Sequence, residues 1–283
     1  WPAGLEAARI CGERGHNVVL FEAAVALGGQ LRIAAGSLRK DLIGIVDWRV
    51  AELEELSVNV RLNTFAEAQD VLDEDPEIVI VATGGVPDIN RIEGADLCTT
   101  SWDILSKGAS IGDEVIVYDG TGRNPGIACA ELVATMGKSV TLFAIDGSFG
   151  PEMTYSERVS WKQRQYELNI PVKLDLQLTR VCRDANKLIA TFVNEMTHQP
   201  LDIQADQIIV ECGTLPADEV YHKLRSASKN DGVTDIDCLL ANKPQPDDWN
   251  PDGKFFLHRI GDAVSSRNIY SAILDAARLC NTI

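Results

Sequence analysis

Apolar and polar positions follow two rhythms along this chain, and their order predicts elements before any chemistry is considered. Residues 5–14, rich in Ala, Leu, Glu and Arg, predict a helix that Gly15 ends, and the β-branched run 17–21 predicts a short strand closed by Glu22. The pattern returns as a strand at 113–118, a Gly-rich turn at 119–126, a helix at 127–135 stopped by Gly137, and a strand at 139–143. Matching Gly126-Ile127-Ala128 to Gly4-Leu5-Glu6, and the segment from Gly137 to Phe143 to that from Gly15 to Phe21, aligns two βαβ-like units. On this overlay the first strand of the first unit is missing. Further strands are expected at 57–62, 78–82, 171–174, 188–193 and 207–211, with helices at 41–56, 155–168 and 271–280. Strands alternating with helices predict an α/β fold with mostly parallel sheets. The Pro- and Asp-rich stretch 241–253 reads as a loop.

A length of 283 residues with 45% hydrophobic composition allows one or two domains, and the repeated unit favours two. The apolar runs are too short for a membrane span. No basic, then apolar, leader opens the chain, and Trp1 is expected to be a cut rather than a natural terminus. A formal charge of -16 argues against nucleic acid, whose phosphates need Lys and Arg, and weakly favours a basic partner. Seven scattered cysteines without a C-x-x-C pair or metal-ligand spacing predict a reducing, cytoplasmic setting and no metal site. Each reads as a small buried hydrophobe.

A Gly-rich turn between strand and helix lets backbone approach a pyrophosphate, and the helix N-terminus adds unpaired N–H groups and a partial positive charge. Trp1-Pro2-Ala3-Gly4 fits the last part of such a turn, and Glu22 stands where an acid accepts from adenosine ribose hydroxyls. The plainer reading is that Gly4 only permits close helix packing. Gly28-Gly29-Gln30-Leu31, Val79-Ile80-Val81-Ala82-Thr83-Gly84-Gly85 and Arg259-Ile260-Gly261-Asp262-Ala263 follow in that order. This series resembles the pyridine-nucleotide-disulfide-reductase type of flavoprotein, in which an FAD domain is interrupted by a second, similarly folded one. Within that type it is most similar to the C-terminal half of the Old Yellow Enzyme-like NADH:flavin oxidoreductases, typified by trimethylamine dehydrogenase, 2,4-dienoyl-CoA reductase and the N-methylproline demethylases. Val117-Tyr118-Asp119-Gly120-Thr121-Gly122-Arg123-Asn124-Pro125-Gly126, Glu211-Cys212-Gly213-Thr214-Leu215-Pro216 and the run from Arg259 to Asn268 look most like the demethylase branch.

The resemblance implies two interleaved Rossmann-like domains, one of residues 1–98 plus 216–283 for FAD or ADP, the other of residues 99–215 and NAD(P)-binding-like. It implies that Pro2, Ala3 and Gly4 lie against the pyrophosphate and that Glu22 holds the ribose. Gly29, Gln30 and Leu31 would cover the nucleotide, Ala82, Thr83 and Gly84 would face it, and Asp262, with Gly261 beside it in the cofactor site, would accept from the ribityl or pyrophosphate-side hydroxyls of FAD. For Asp262 and Thr83 the plainer readings are a helix N-cap and a strand-end cap. FMN and a 4Fe-4S cluster are expected in an N-terminal flavin barrel, a partner within the same protein, which these residues do not encode. The function implied is the electron-transfer portion of an amine demethylase or related oxidoreductase.

The second unit departs from a clean NAD(P)H site. Its glycines Gly120, Gly122 and Gly126 are spaced one residue too long, and Ala144 stands where an acid should. Nicotinamide binding there and a vestigial, purely structural or docking fold both remain open. Arg123 is a candidate for a phosphate or a solvated turn. The four histidines are isolated and no catalytic constellation emerges. The absent C-x-x-C argues against a stand-alone disulfide reductase. Without its first strand the chain is expected to bind its dinucleotide weakly, and the unpaired strand edges invite a homo-oligomer.

Overall fold

Pro2 opens the first helix, where its missing N–H has no intrahelical acceptor to lose, and the chain then alternates helix and strand as the periodicity requires. The computed structural model describes residues 1–36, 39–246 and 250–283. In chain order the elements are α1 (Pro2–Glu13), β1 (Val19–Phe21), α2 (Gln30–Ala35), α3 (Ile43–Glu55), β2 (Asn59–Arg61), α4 (Ala68–Leu72), β3 (Ile78–Val81) and β4 (Gly85–Pro87). Next come β5 (Thr99–Thr100), α5 (Ser101–Leu105), β6 (Glu114–Asp119), α6 (Asn124–Thr135), β7 (Ser139–Ala144), α7 (Tyr155–Glu167), β8 (Val172–Lys173), β9 (Leu176–Asp184), β10 (Lys187–Asn194), β11 (Pro200–Ala205) and β12 (Gln207–Glu211). The chain closes with β13 (Thr214–Pro216), α8 (Glu219–Leu224), α9 (Ile236–Leu240), β14 (Phe256–Arg259) and α10 (Ile269–Cys280). Two units result: Trp1–Arg32 with Asp41–Val86 and Thr214–Ile283, and Ile33–Lys40 with Pro87–Gly213.

In the first unit β1 runs parallel to β2, with Leu20 opposite Val60, and β3 runs parallel to β14, with Val79 opposite Leu257. Among the described residues these pairs are not joined into one sheet. Helix α1 lies in the core between them. One side packs Ala3, Ala7 and Ile10 on Ala272, Ala276 and Leu279 of α10, and another packs Leu5 and Ala8 with Val46 and Leu53 of α3.

The second unit carries a five-stranded parallel sheet in the order β5-β12-β6-β7-β8. Its strands are apolar on both faces because both are covered. Val117, Leu142 and Ile209 meet Ile127, Cys129 and Trp161 on one face, while Ile116, Tyr118 and Phe143 meet Leu178, Ala190 and Phe192 on the other. The Phe143 and Phe192 rings stack 4.3 Å apart.

That second face adds an antiparallel layer to the mostly parallel sheets expected. β9, β10 and β11 form an antiparallel sheet, with Ala190 opposite both Val181 and Ile203. Burial alternates along β9 and β10, and Ala185 takes a left-handed φ of 50° in the hairpin between them. The expected helix at 41–56 is a short 3-10 turn, Lys40–Leu42, leading into α3. In the stretch 241–253, residues 247–249 lie outside the described residues. Among the described residues no helix is long and apolar enough to cross a membrane.

Candidate functional site

In the first unit the named residues converge at the start of α1. Ala3 and Gly4 sit in its first turn, where backbone N–H groups have no acceptor four residues back. Gly4 is tightly placed, because a Cβ there would stand 3.3 Å from the Cβ of Ala82 just beyond β3. Gly261 is more constrained: with φ +64° it brings its backbone against α1, and a Cβ would lie 2.8 Å from that of Ala3. Glu22 follows β1 directly, with its carboxylate 3.9 Å from the backbone nitrogen of Trp1, and Oε1 accepts from the Ala24 N–H at 3.0 Å. Pro2, Ala3, Gly4, Glu22 and Gly261 are therefore gathered at one helix end.

Gly29 and Gly84 face the same place, both with left-handed φ, 50° and 73°. The Trp1 indole fills the space between them: a Cβ on Gly29 would come within 2.9 Å of it, and one on Gly84 within 2.3 Å. The slot bounded by these glycines is thus wide enough for a flat ring system. Gln30 opens α2, and its buried Nε2 has no hydrogen-bond partner among the described residues. An unsatisfied buried amide costs about 1–3 kcal/mol and marks a place where a ligand acceptor fits. Leu31 is buried behind it. The Thr83 hydroxyl donates to the Ala217 carbonyl, so the strand-end cap is its local role. Asp262 does not cap α10, since Asn268 accepts the Ser271 N–H at 2.8 Å. Its own Oδ1 accepts from the Arg267 N–H at 3.2 Å.

Helix α1 is fixed by a buried ion cluster. Glu6 accepts from Arg49 at 2.7 Å and from Arg9 at 2.9 Å. Burial opposes ionisation of Glu6, but the Arg9 hydrogen bond and the two guanidinium charges outweigh it and hold the carboxyl below its ordinary range.

The glycine turn of the second unit is closed on itself. Asp119, the last residue of β6, is buried and accepts through one oxygen from the Thr121 N–H at 2.9 Å, the Thr121 hydroxyl at 3.0 Å and the Gly122 N–H at 2.9 Å. The Gly120 N–H donates to the Glu211 carbonyl at 2.8 Å. Gly122 is overlaid by Pro151, 2.7 Å from where a Cβ would sit, and the Glu152 N–H donates to the Gly122 carbonyl. The donors of Gly120 and Gly122 are thus satisfied within the protein, Gly120 by the Glu211 carbonyl and Gly122 by the strand-end aspartate, the anion that such a nest of N–H groups attracts.

Glu211 lies directly opposite Asp119 in the β6–β12 register. It accepts from the Ser101 hydroxyl and, at 3.0 Å, from the Gly213 N–H. Burial pushes Asp119 up to about 6 and Glu211 up to about 7, and the proximity of each to other carboxylates adds to the shift. Trp1, Asp119 and Glu211 are the residues that pattern reading missed in these roles. The signal existed for Asp119, an acid immediately before the first glycine of a strand–turn–helix; Glu211 is recognisable only once β12 is placed beside β6. Among the described residues no His, Cys, Asp and Glu cluster could hold a metal ion.

No family model matches the chain. It is 44% identical over 282 residues, 99% of its length, to a multifunctional alkene reductase/demethylase of Caballeronia cordobensis, covering 42% of that protein. It is 40% identical over 284 residues, 100% of its length, to a probable N-methylproline demethylase of Rhizobium meliloti, again covering 42%. The chain therefore spans about two fifths of the length of these relatives. Among solved structures, thioredoxin reductase of T. acidophilum matches with a TM-score of 0.65 at 17% identity, over 99% of this chain and 93% of that one. That likeness is one of fold.

Proposed function

We propose that the chain is the dinucleotide-binding portion of a protein of the Old Yellow Enzyme-like group of alkene reductases and amine demethylases, to which it is similar, and that its first unit holds FAD, or ADP in its place. The observation that carries the reading is the convergence of the α1 first turn, Glu22 and the glycine-walled slot with the unpartnered Gln30 amide. The N–H groups of Ala3 and Gly4 suit a pyrophosphate, Glu22 the adenosine ribose, and Gln30 an acceptor on the bound molecule. Bound FAD would supply two-electron acceptance and onward electron transfer. The chain's own residues bind and orient it, and none of those described forms a catalytic constellation.

The second unit has the architecture of a pyridine-nucleotide domain, but its closed turn favours a structural role there. The two units correspond to two interleaved Rossmann-like domains, and the longer protein is an oxidoreductase whose FMN and 4Fe-4S cluster belong to a flavin barrel outside these residues. Nicotinamide reduction of the flavin would require the Asp119 turn to open. Calorimetric titration of ADP and FAD tests the first-unit reading. Binding is expected to be weak, because the Trp1 indole occupies the slot, and to strengthen at least tenfold in Trp1→Gly. Failure of Trp1→Gly to bind either nucleotide overturns the reading.

A further inference from the structure

Helices α1 and α10 meet along matched rows of small residues. Ala3, Ala7 and Cys11 recur every fourth position on α1, as Ala272, Ala276 and Cys280 do on α10, and all six are buried in one cluster. The helices run parallel, because Gly261 approaches both Ala3 and Ala272 at one end and the two cysteines meet at the other. Alanines at the contacts permit an interaxial distance at the short end of the usual 8–10 Å. The Cys11 and Cys280 thiols lie side by side in that cluster, close enough to perturb each other. They lie nearly the whole chain apart in sequence, and the matched spacing brings them together.

We propose that Cys11 and Cys280 are a redox pair that closes to a disulfide across the α1–α10 seam on exposure to hydrogen peroxide. Cys11 is 8% exposed and Cys280 not at all, so the oxidant reaches Cys11 first. The Cys11 thiolate attacks one peroxide oxygen, the O–O bond breaks, and hydroxide leaves a sulfenic acid. The Cys280 sulfur then attacks that sulfur; the S–O bond breaks, the S–S bond forms, and the thiol proton leaves with the oxygen as water. Two thiols are oxidised and one peroxide is reduced to two waters.

Only the first thiol of the pair is prepared for attack. The neighbouring Cys280 thiol lowers Cys11, against the cost of burial and with help from the Arg14 charge, and Cys280 is raised correspondingly. Elsewhere burial, reinforced by Asp96 or Glu211, pushes Cys98 and Cys212 up to about 12 and holds Cys129 well above the ordinary thiol range. Arg14 also donates to the Ile283 carbonyl at 2.9 Å, tethering the chain beyond α10 to the end of α1.

The test is peptide mapping under non-reducing conditions after graded peroxide. The expected product joins Ile10–Arg14 to Leu279–Ile283, consumes two of the seven thiols and returns to thiols with dithiothreitol. Oxidation should raise the melting temperature by roughly 5 °C, because the cross-link closes a loop of most of the chain. Cys280→Ala, which continues the alanine row, should instead leave a Cys11 sulfenic acid that dimedone traps. Conversion of wild-type Cys11 to sulfinic acid without the joined peptide overturns the proposal, as does pairing of either cysteine with any other.

Discussion

The chain contains two glycine turns leading into helices, at Trp1–Gly4 and at Asp119–Gly126, and they treat their backbone donors in opposite ways. In the first, the N–H groups of Ala3 and Gly4 have no intrahelical acceptor, the Trp1 ring lies between Gly29 and Gly84, and the acid, Glu22, stands beside the helix end. In the second, Asp119 lies under the turn and takes the N–H groups of Thr121 and Gly122 for itself. A helix N-terminus attracts an anion wherever it occurs. In the second turn the protein's own carboxylate, at the strand end, takes the place that a ligand anion would hold. A turn that satisfies itself gains a fixed shape.

The largest effect expected on this contrast comes from Glu22→Ala. If the first turn is the open one, ADP affinity falls by about 2–4 kcal/mol, the loss of charge-assisted bonds to two ribose hydroxyls. The same titration on Asp146→Ala, near the corresponding place in the second unit, should show no change. Unaltered ADP affinity in Glu22→Ala would remove the distinction between the turns.

The buried acids of the two units should also respond to pH with opposite signs. Glu6 is depressed in the folded state, so its contribution is full above the unfolded carboxyl range and is lost as pH falls through its lowered value. Glu6→Gln should therefore cost about 2 kcal/mol at neutral pH, leaving Arg49 without its buried partner. Chemical denaturation at pH 7 checks this, and a neutral result would show that α1 does not depend on the cluster. Asp119 and Glu211 are raised, so the folded state holds protons that the unfolded state releases, and stability falls as pH rises from the ordinary carboxyl range through about 7. Glu211→Gln should flatten that slope and stabilise the protein at pH 8 by roughly 1–3 kcal/mol. Melting curves from pH 5 to 8 measure it; an unchanged slope would mean that Glu211 stays ionised.

The smallest expected effect is a gain. Asp119→Ala releases the Thr121 and Gly122 donors and should let NADH bind at millimolar concentration, seen as a shift in its fluorescence. If no binding appears, Pro151 and Glu152 rather than the aspartate keep the turn shut, which would locate the difference between the units in the covering segment.

The sequence alone determined the local rhythm. Apolar spacing located α1, α6 and α7 to within a few residues, and Glu22 and the glycines of the first unit were readable because turn chemistry is written in adjacent residues. The antiparallel hairpin from Leu176 to Asn194 carried a legible alternation as well, yet only its second strand was expected, since the βαβ pattern directed attention to parallel strands. Tertiary structure alone decided how distant segments meet. Asp119 opposite Glu211, Cys11 beside Cys280, and the Trp1 ring between Gly29 and Gly84 join residues far apart in the chain. Their consequences, raised carboxyls, a paired thiol and a filled slot, arise from burial and charge proximity, and these depend on what the fold brings within a few ångströms rather than on what precedes or follows in sequence.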